Sequence, residues 1–182
     1  MNYTSKLLIA QPTGFSEYFE RAVILICEHT AQGAWGLVLN KSAKPVTVKG
    51  ISKAVGVEIN VDREAYLGGP VETNSIHVVH SPDVKVHNTM QITPHVCVTS
   101  SVELMGMIGD NKGPEYWRLT CGMSCWSSGQ LEGEMSGEKP WRPEHRWLTL
   151  NSPDHLLEIN PMALWSECVK LTVADTTSKY FF

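Results

Sequence analysis

The stretch from Phe19 to Lys41, FERAVILICEHTAQGAWGLVLNK, constrains the fold more than any other part of the chain. Ala22 to Cys27 is apolar without interruption. Read as a strand, with side chains alternating between faces, it puts Val23, Leu25 and Cys27 on one side and Ala22, Ile24 and Ile26 on the other. Apolar residues on both faces require cover on both faces, so this strand belongs inside a sheet and not at its margin. Ala34 to Leu39 repeats the pattern, with Trp35, Leu37 and Leu39 on one side and Gly36 and Val38 on the other. The short polar connection containing Gly33 predicts an antiparallel hairpin. Polar groups gather at its ends: Glu20 and Arg21 before it, Glu28 and His29 at the tip, Asn40 and Lys41 after it.

Around that hairpin the chain predicts a series of short elements. Lys6 to Ala10, Ala65 to Leu67, Ile76 to His80, Thr89 to Ile92, Val96 to Val98, Tyr116 to Cys121 and Trp147 to Leu150 read as strands. Lys44-Pro45 opens a looser segment. Ile51, Ala54 and Val55 have helical spacing, closing at Gly56. Ser100 to Glu103 fits a capping box with Ser100 at the N-cap, followed by the inward stripe Leu104, Met105 and Ile108. Ser128 is placed to cap a helix through Gln130, Leu131 and Met135. Asn160-Pro161 opens a helix bearing Leu164, Trp165, Cys168 and Leu171. Ser178 to Phe182 shows no clear element. Strands mixed with a few helices, without strict alternation, predict an α+β domain.

At 182 residues, 42% hydrophobic and 19% charged, the chain is expected to be one globular domain spanning 1–182. Its net charge of −4 and scattered Lys and Arg disfavour direct nucleic-acid binding. No apolar run reaches the ~20 residues of a membrane helix. The segment MNYTSKLLIAQP meets a proline before a signal-peptide apolar region would be complete. With five cysteines, an odd number, this predicts reduced thiols and a cytoplasmic location.

The hairpin segment, YLGGPVE at Tyr66 to Glu72, VVHS at Val78 to Ser81 and WSSGQLEGE at Trp126 to Glu134 stand in the order seen in the AlgH/YqgE-like bacterial proteins, which the chain resembles from Lys6 to about Leu171. The resemblance implies a forked, partly barrel-like mixed sheet flanked by a few helices. It carries a loose transcriptional-regulator label and no agreed reaction, and fits a bacterial or phage source equally. Cys121, Ser124 and Cys125 stand where the family has small residues, and Ser136 to His145 is longer and more charged than the family pattern.

Several residues invite chemistry. Glu28 and His29 pair a carboxylate with an imidazole that titrates near neutrality, the raw material of acid–base catalysis. With Arg21 and Asn40, the same residues could instead organise the sheet ends, and as strand neighbours Glu28 and His29 would face opposite ways. Gly68-Gly69-Pro70 allows a close backbone approach or an anion nest, and also makes a tight turn. Trp126, Gln130 and Glu132 could line a pocket or simply fix a helix to the core. Cys125, ahead of the expected helix, is the candidate reactive thiol. Cys27, Cys97 and Cys168 read as small buried hydrophobes. His77 and His80 alternate on a strand and cannot easily share an ion, so neither a metal nor a cofactor is expected. The reading is a regulatory or binding domain acting through a small molecule or a protein partner, with Arg21, Glu28, His29, Asn40, Gly68, Gly69, Trp126, Gln130 and Glu132 as its binding candidates. The site is expected where the hairpin tip, the Gly-Gly-Pro turn and the Trp126–Glu132 segment converge. The alternative is an enzyme working through Cys125 or through Glu28 and His29.

Overall fold

In the computed structural model, which describes residues 1–12, 17–137, 140 and 147–181 (backbone alone for 176–181), the Phe19–Lys41 hairpin sits within the sheet. Its first strand, β2 (Val23–Thr30), is antiparallel to β1 (Lys6–Ala10) on one edge and to β3 (Gly33–Val38) on the other. Val23 to Ile26 are wholly shielded from solvent. The two faces feed separate cores, as the alternation predicts. Val23, Leu25 and Cys27 join Leu37, Leu39 and Val79, whereas Ala22, Ile24 and Ile26 join Val38, Trp126 and Leu131. Truncating Ile24, Leu25 or Ile26 to alanine costs about 2–5 kcal/mol in a core of this kind.

The strand runs further than the apolar pattern does, through Glu28 and His29 to Thr30, which leaves only Ala31 and Gln32 to turn the chain. A bulge between Ile26 and Glu28 lets it do so. Beyond the bulge, Glu28 stands opposite Trp35 and His29 opposite Ala34.

The remaining strands are β4 (Ser42–Thr47), β5 (Glu64–Leu67), β6 (Val71–His80), β7 (Met90–Thr93), β8 (Val96–Thr99), β9 (Trp117–Ser127) and β10 (Trp147–Asn151). The main path through the sheet is β10-β1-β2-β3-β9-β6-β8-β7. The fork lies at β9. Its second half pairs antiparallel with β3, its first half pairs parallel with β5, and β6 runs antiparallel along the other edge. The sheet is therefore mixed. Gly122 marks the branch at φ 74°, where a Cβ would lie 2.4 Å from the Gly69 carbonyl oxygen. β9 is longer than the predicted Tyr116–Cys121 because a left-handed glycine carries the strand past the point where the alternation breaks.

Helices α1 (Val48–Ala54) and α2 (Val102–Gly109) close a third core through Val48, Ile51, Leu104, Met105 and Ile108, packed on Val78 and Leu119. The N-cap of α2 is Ser101, which accepts from the Glu103 N–H at 3.1 Å, and not Ser100. α3 (Gln130–Ser136) begins at Gly129 in the left-handed region, without a side-chain cap; Ser128 donates instead to the Ala31 carbonyl at 2.7 Å. α4 (Pro161–Phe181) starts where Asn160-Pro161 predicts it, Asn160 accepting from the Met162 N–H at 2.9 Å. It continues through Ser178 to Phe181, where the sequence shows no clear element. Leu164 and Cys168 are buried beneath it, and Trp165 donates its indole N–H to the Ala10 carbonyl at 2.7 Å. The segment expected to be loose after Lys44 is strand β4, paired with β5. Much of the charged Ser136–His145 stretch lies outside the described residues. No helix among the described residues is long and apolar enough to cross a membrane.

Candidate functional site

The hairpin's two ends hold different candidates. At the open end, the Asn40 side chain accepts from the Val23 N–H at 2.8 Å and donates to the Arg21 carbonyl at 2.8 Å. Arg21 holds φ 53°, and its guanidinium lies over the Trp165 ring, 5.5 Å from the centroid. These contacts close the hairpin mouth. The tip is about 23 Å away along β2, so Arg21 and Asn40 share no site with Glu28 and His29.

At the tip, His29 is only 8% exposed. The Tyr3 backbone N–H donates to Nδ1 at 3.2 Å, which leaves the imidazole proton on Nε2, 2.9 Å from Glu132 Oε1. The His29 N–H is itself taken by Thr4 Oγ1 at 2.9 Å, and the Tyr3 ring lies beside the imidazole. Both ring nitrogens are thus committed. Glu28, on the opposite face, cannot assist this imidazole, so the two do not form an acid–base pair.

The WSSGQLEGE segment is a clamp. Glu134 accepts from the indole N–H of Trp126 at 3.0 Å and of Trp147 at 2.9 Å, and from the Gln130 amide at 3.0 Å. Gln130 in turn accepts from the Ser127 N–H at 3.0 Å. Trp126 is buried among Ile24, Ile26 and Val38. Glu134, absent from the predicted set, is the residue on which the clamp turns.

The Gly-Gly-Pro turn is pressed onto β9. The Gly68 N–H donates to the Cys121 carbonyl at 2.7 Å, and its carbonyl receives the Val38 N–H at 2.8 Å. A Cβ on Gly69 would fall 1.9 Å from the Met123 carbonyl carbon. The glycines are there for close approach; the Gly68 amide is not open to an anion. Hairpin tip, turn and α3 do adjoin one strand: β3 meets β9 at Ser124–Ser127, the turn meets it at Cys121–Ser124, and α3 follows it.

This architecture has relatives. A family model described as AlgH-like (DUF179) matches residues 7–177. The chain belongs to the AlgH-like family. A UPF0301 protein from Vibrio cholerae is 32% identical over 179 residues, covering 93% of this chain and 91% of that protein. Another from Photorhabdus laumondii is 30% identical over 179 residues, covering 94% and 92%. The solution structure of AlgH from Pseudomonas aeruginosa superposes with a TM-score of 0.77 at 24% identity, covering 95% of this chain and 89% of that one. Protein DIP2367 from Corynebacterium diphtheriae gives 0.67 at 23% identity, covering 90% and 83%. These two structures share the fold.

Within this AlgH-like domain the thiols are not activated. Cys125 is exposed, yet partial burial and the neighbouring Glu72 charge push its thiol above the ordinary range, the reverse of what a nucleophile needs. It lies in β9, not at a helix N-terminus. Burial raises Cys121, and raises Cys168 to about 12. Cys27 is driven higher still by burial.

His77 and His80 point to opposite faces. His80 is fully buried, donates from Nδ1 to the Ser81 carbonyl at 2.8 Å and accepts from Thr99 Oγ1 at 2.8 Å. Among the described residues, no three His, Cys, Asp or Glu side chains gather closely enough to hold a metal. Arg118 is a second omission from the predicted set. Although only 5% exposed, it donates to the carbonyls of Leu39 (3.4 Å) and Leu157 (3.3 Å), tying the hairpin to the turn before α4. Alternating with Trp117 and Leu119, Arg118 reads in the sequence as the outward-facing residue of its strand; only the turn through Leu156 and Leu157, folded over that face, buries it.

Proposed function

We propose that this AlgH-like chain is a regulatory binding domain, working in the cytoplasm and acting on transcription through a protein partner, not by its own chemistry or by contact with DNA. The observation that carries the reading is the commitment of the tip: His29 is held between Tyr3 and Glu132, and the other polar residues of WSSGQLEGE bond to one another, to Ala31 or to Trp147. Groups that look catalytic in the sequence serve as internal ties. The acidic balance weighs against phosphate-backbone contact. Two open grooves, of about 230 and 570 Å³, suit side chains of a partner better than an enclosed substrate.

Native mass spectrometry of the full chain, isolated from its own cells, tests this. The reading predicts a stoichiometric complex of defined mass with a second protein. Recovery of the chain with a small molecule alone, converted to a new mass on incubation, would overturn it in favour of an enzyme.

A further inference from the structure

β6 leaves the register of β9 between Val71 and Ile76. Glu72 sits in that step at φ 46°, a conformation a non-glycine residue adopts at a cost of about 1–2 kcal/mol. The step opens a groove of about 570 Å³ lined by Pro70, Glu72, Thr73, Asn74 and Ser75.

Two polar side-chain atoms of β6 are shut away from water without a hydrogen-bond partner: Ser75 Oγ, in the groove lining, and His77 Nδ1, two residues further along the strand. Ser75 ends the irregular stretch of β6, and His77 stands in the paired part opposite Thr120. His77 is 7% exposed, and Trp35 lies against its imidazole with centroids 5.8 Å apart. Leaving a buried polar group unpaired is unfavourable, so native structures rarely keep one without a reason.

The face on which His77 meets Trp35 carries negative charge. Glu28, Trp35 and Cys125 stand opposite one another across β2, β3 and β9. Glu72 is close enough for its charge to act on both His77 and Cys125. Glu28 and Glu72 are exposed and make no ion pair among the described residues. Burial lowers the His77 basicity, so at neutral pH the ring is uncharged and adds no competing cation.

Resting on the binding-domain reading above, we propose that this face receives an arginine side chain of the partner protein. The planar guanidinium lies over Trp35, donates to Ser75 Oγ and His77 Nδ1, and is balanced by Glu72 and Glu28. A guanidinium suits these groups better than an ammonium: it stacks on indoles, presents several N–H donors in one plane and sheds its water more readily. Side-chain rotations at Thr73 to Ser75, of the kind interfaces commonly make, bring the buried acceptors into reach.

The test is an NMR titration of the full chain, observing indole N–H and imidazole signals. The probes are the peptide acetyl-Gly-Arg-Gly-Arg-Gly-amide and its citrulline and lysine counterparts. The arginine peptide is expected to shift Trp35 and His77 saturably while Trp126 and Trp147 stay fixed. Glu72→Gln and Trp35→Leu, with otherwise unchanged spectra, are each expected to weaken it at least tenfold. Equal binding by the citrulline or lysine peptide, or no saturable shift at Trp35 and His77, overturns the assignment. The complex sought by mass spectrometry separates the two claims. If it persists in a Glu28→Gln, Glu72→Gln double variant, this face is wrong and the binding-domain reading stands; if the unaltered chain forms none, the underlying reading fails.

Discussion

His29 and Glu132 are 103 residues apart in the chain and meet at 2.9 Å, the imidazole buried and the carboxylate side chain 45% exposed. The contact fixes α3 against the tip of the central hairpin. Glu28, the residue before His29, faces the other way, on the side of Trp35. One strand thus serves both purposes, anchoring a helix with one face and offering charge on the other.

The Glu134 clamp predicts a large stability effect from a single partly buried carboxylate. It receives three side-chain N–H groups, and hydrogen bonds to a charged acceptor contribute about 1.5–3 kcal/mol each, not additively. Glu134→Ala is expected to destabilise by about 3 kcal/mol, and Glu134→Gln by less, because the amide oxygen still accepts while only the NH2 side is lost as an acceptor. Urea unfolding monitored by tryptophan fluorescence measures both.

Gly69 has no room for a side chain, since the atoms a Cβ would strike belong to the Met123–Ser124 backbone. Gly69→Ala should cost about 3 kcal/mol or more, at the upper end of overpacking effects. Gly129→Ala is the contrasting case: its Cβ would meet nothing within 4 Å, but φ is 74°, so the cost is that of a left-handed residue, about 1–2 kcal/mol. Equal losses from the two variants in thermal unfolding would contradict this ordering.

Stability should fall on mild acidification. Burial holds His77 and His80 below the usual imidazole range, with Glu72 facing the first and Asp83 the second in partial opposition. The unfolded chain therefore binds more protons than the folded one once pH drops below about 6.5. The contribution is fully present above that value and is lost as pH falls from there toward the lowered folded-state values. The urea midpoint is expected to be lower at pH 5.5 than at pH 7.5, with a smaller difference in His77→Phe.

Alkylation of the folded chain should begin at Cys125, the exposed thiol. Because burial and Glu72 raise it, the pH midpoint of its reaction with iodoacetamide is expected above the ~8.5 of a free cysteine, and Glu72→Gln should lower it. A midpoint near neutrality would instead mark an activated thiol.

Much of the fold is legible in the sequence because burial imposes period. The unbroken run Val23–Ile26 states that β2 is covered on both faces, and Asn160-Pro161 states where α4 begins. What escapes is set by tertiary pairing. β4 is half exposed and shows no alternation, and β9 outlasts its pattern because Gly122 turns the strand at the fork. The site is less legible still. Glu28, His29, Gly68, Gly69, Trp126, Gln130 and Glu132 do collect around β9, but whether a polar side chain ties the fold together or faces a partner depends on long-range contacts such as His29 to Glu132. Trp35 reads as core by its neighbours and His77 as an ordinary strand residue; only the step in β6 joins them to Glu72.

The central claim, that the tip residues are structural ties within a binding domain, is tested most directly by a double-mutant cycle on His29→Asn and Glu132→Gln. Urea unfolding and partner-complex formation are followed on the same four proteins. The account predicts a coupling of about 0.3–1 kcal/mol, in line with a partly exposed pair, and an intact stoichiometric complex in every variant. Additive stability effects together with loss of the complex or of a measured turnover would contradict it.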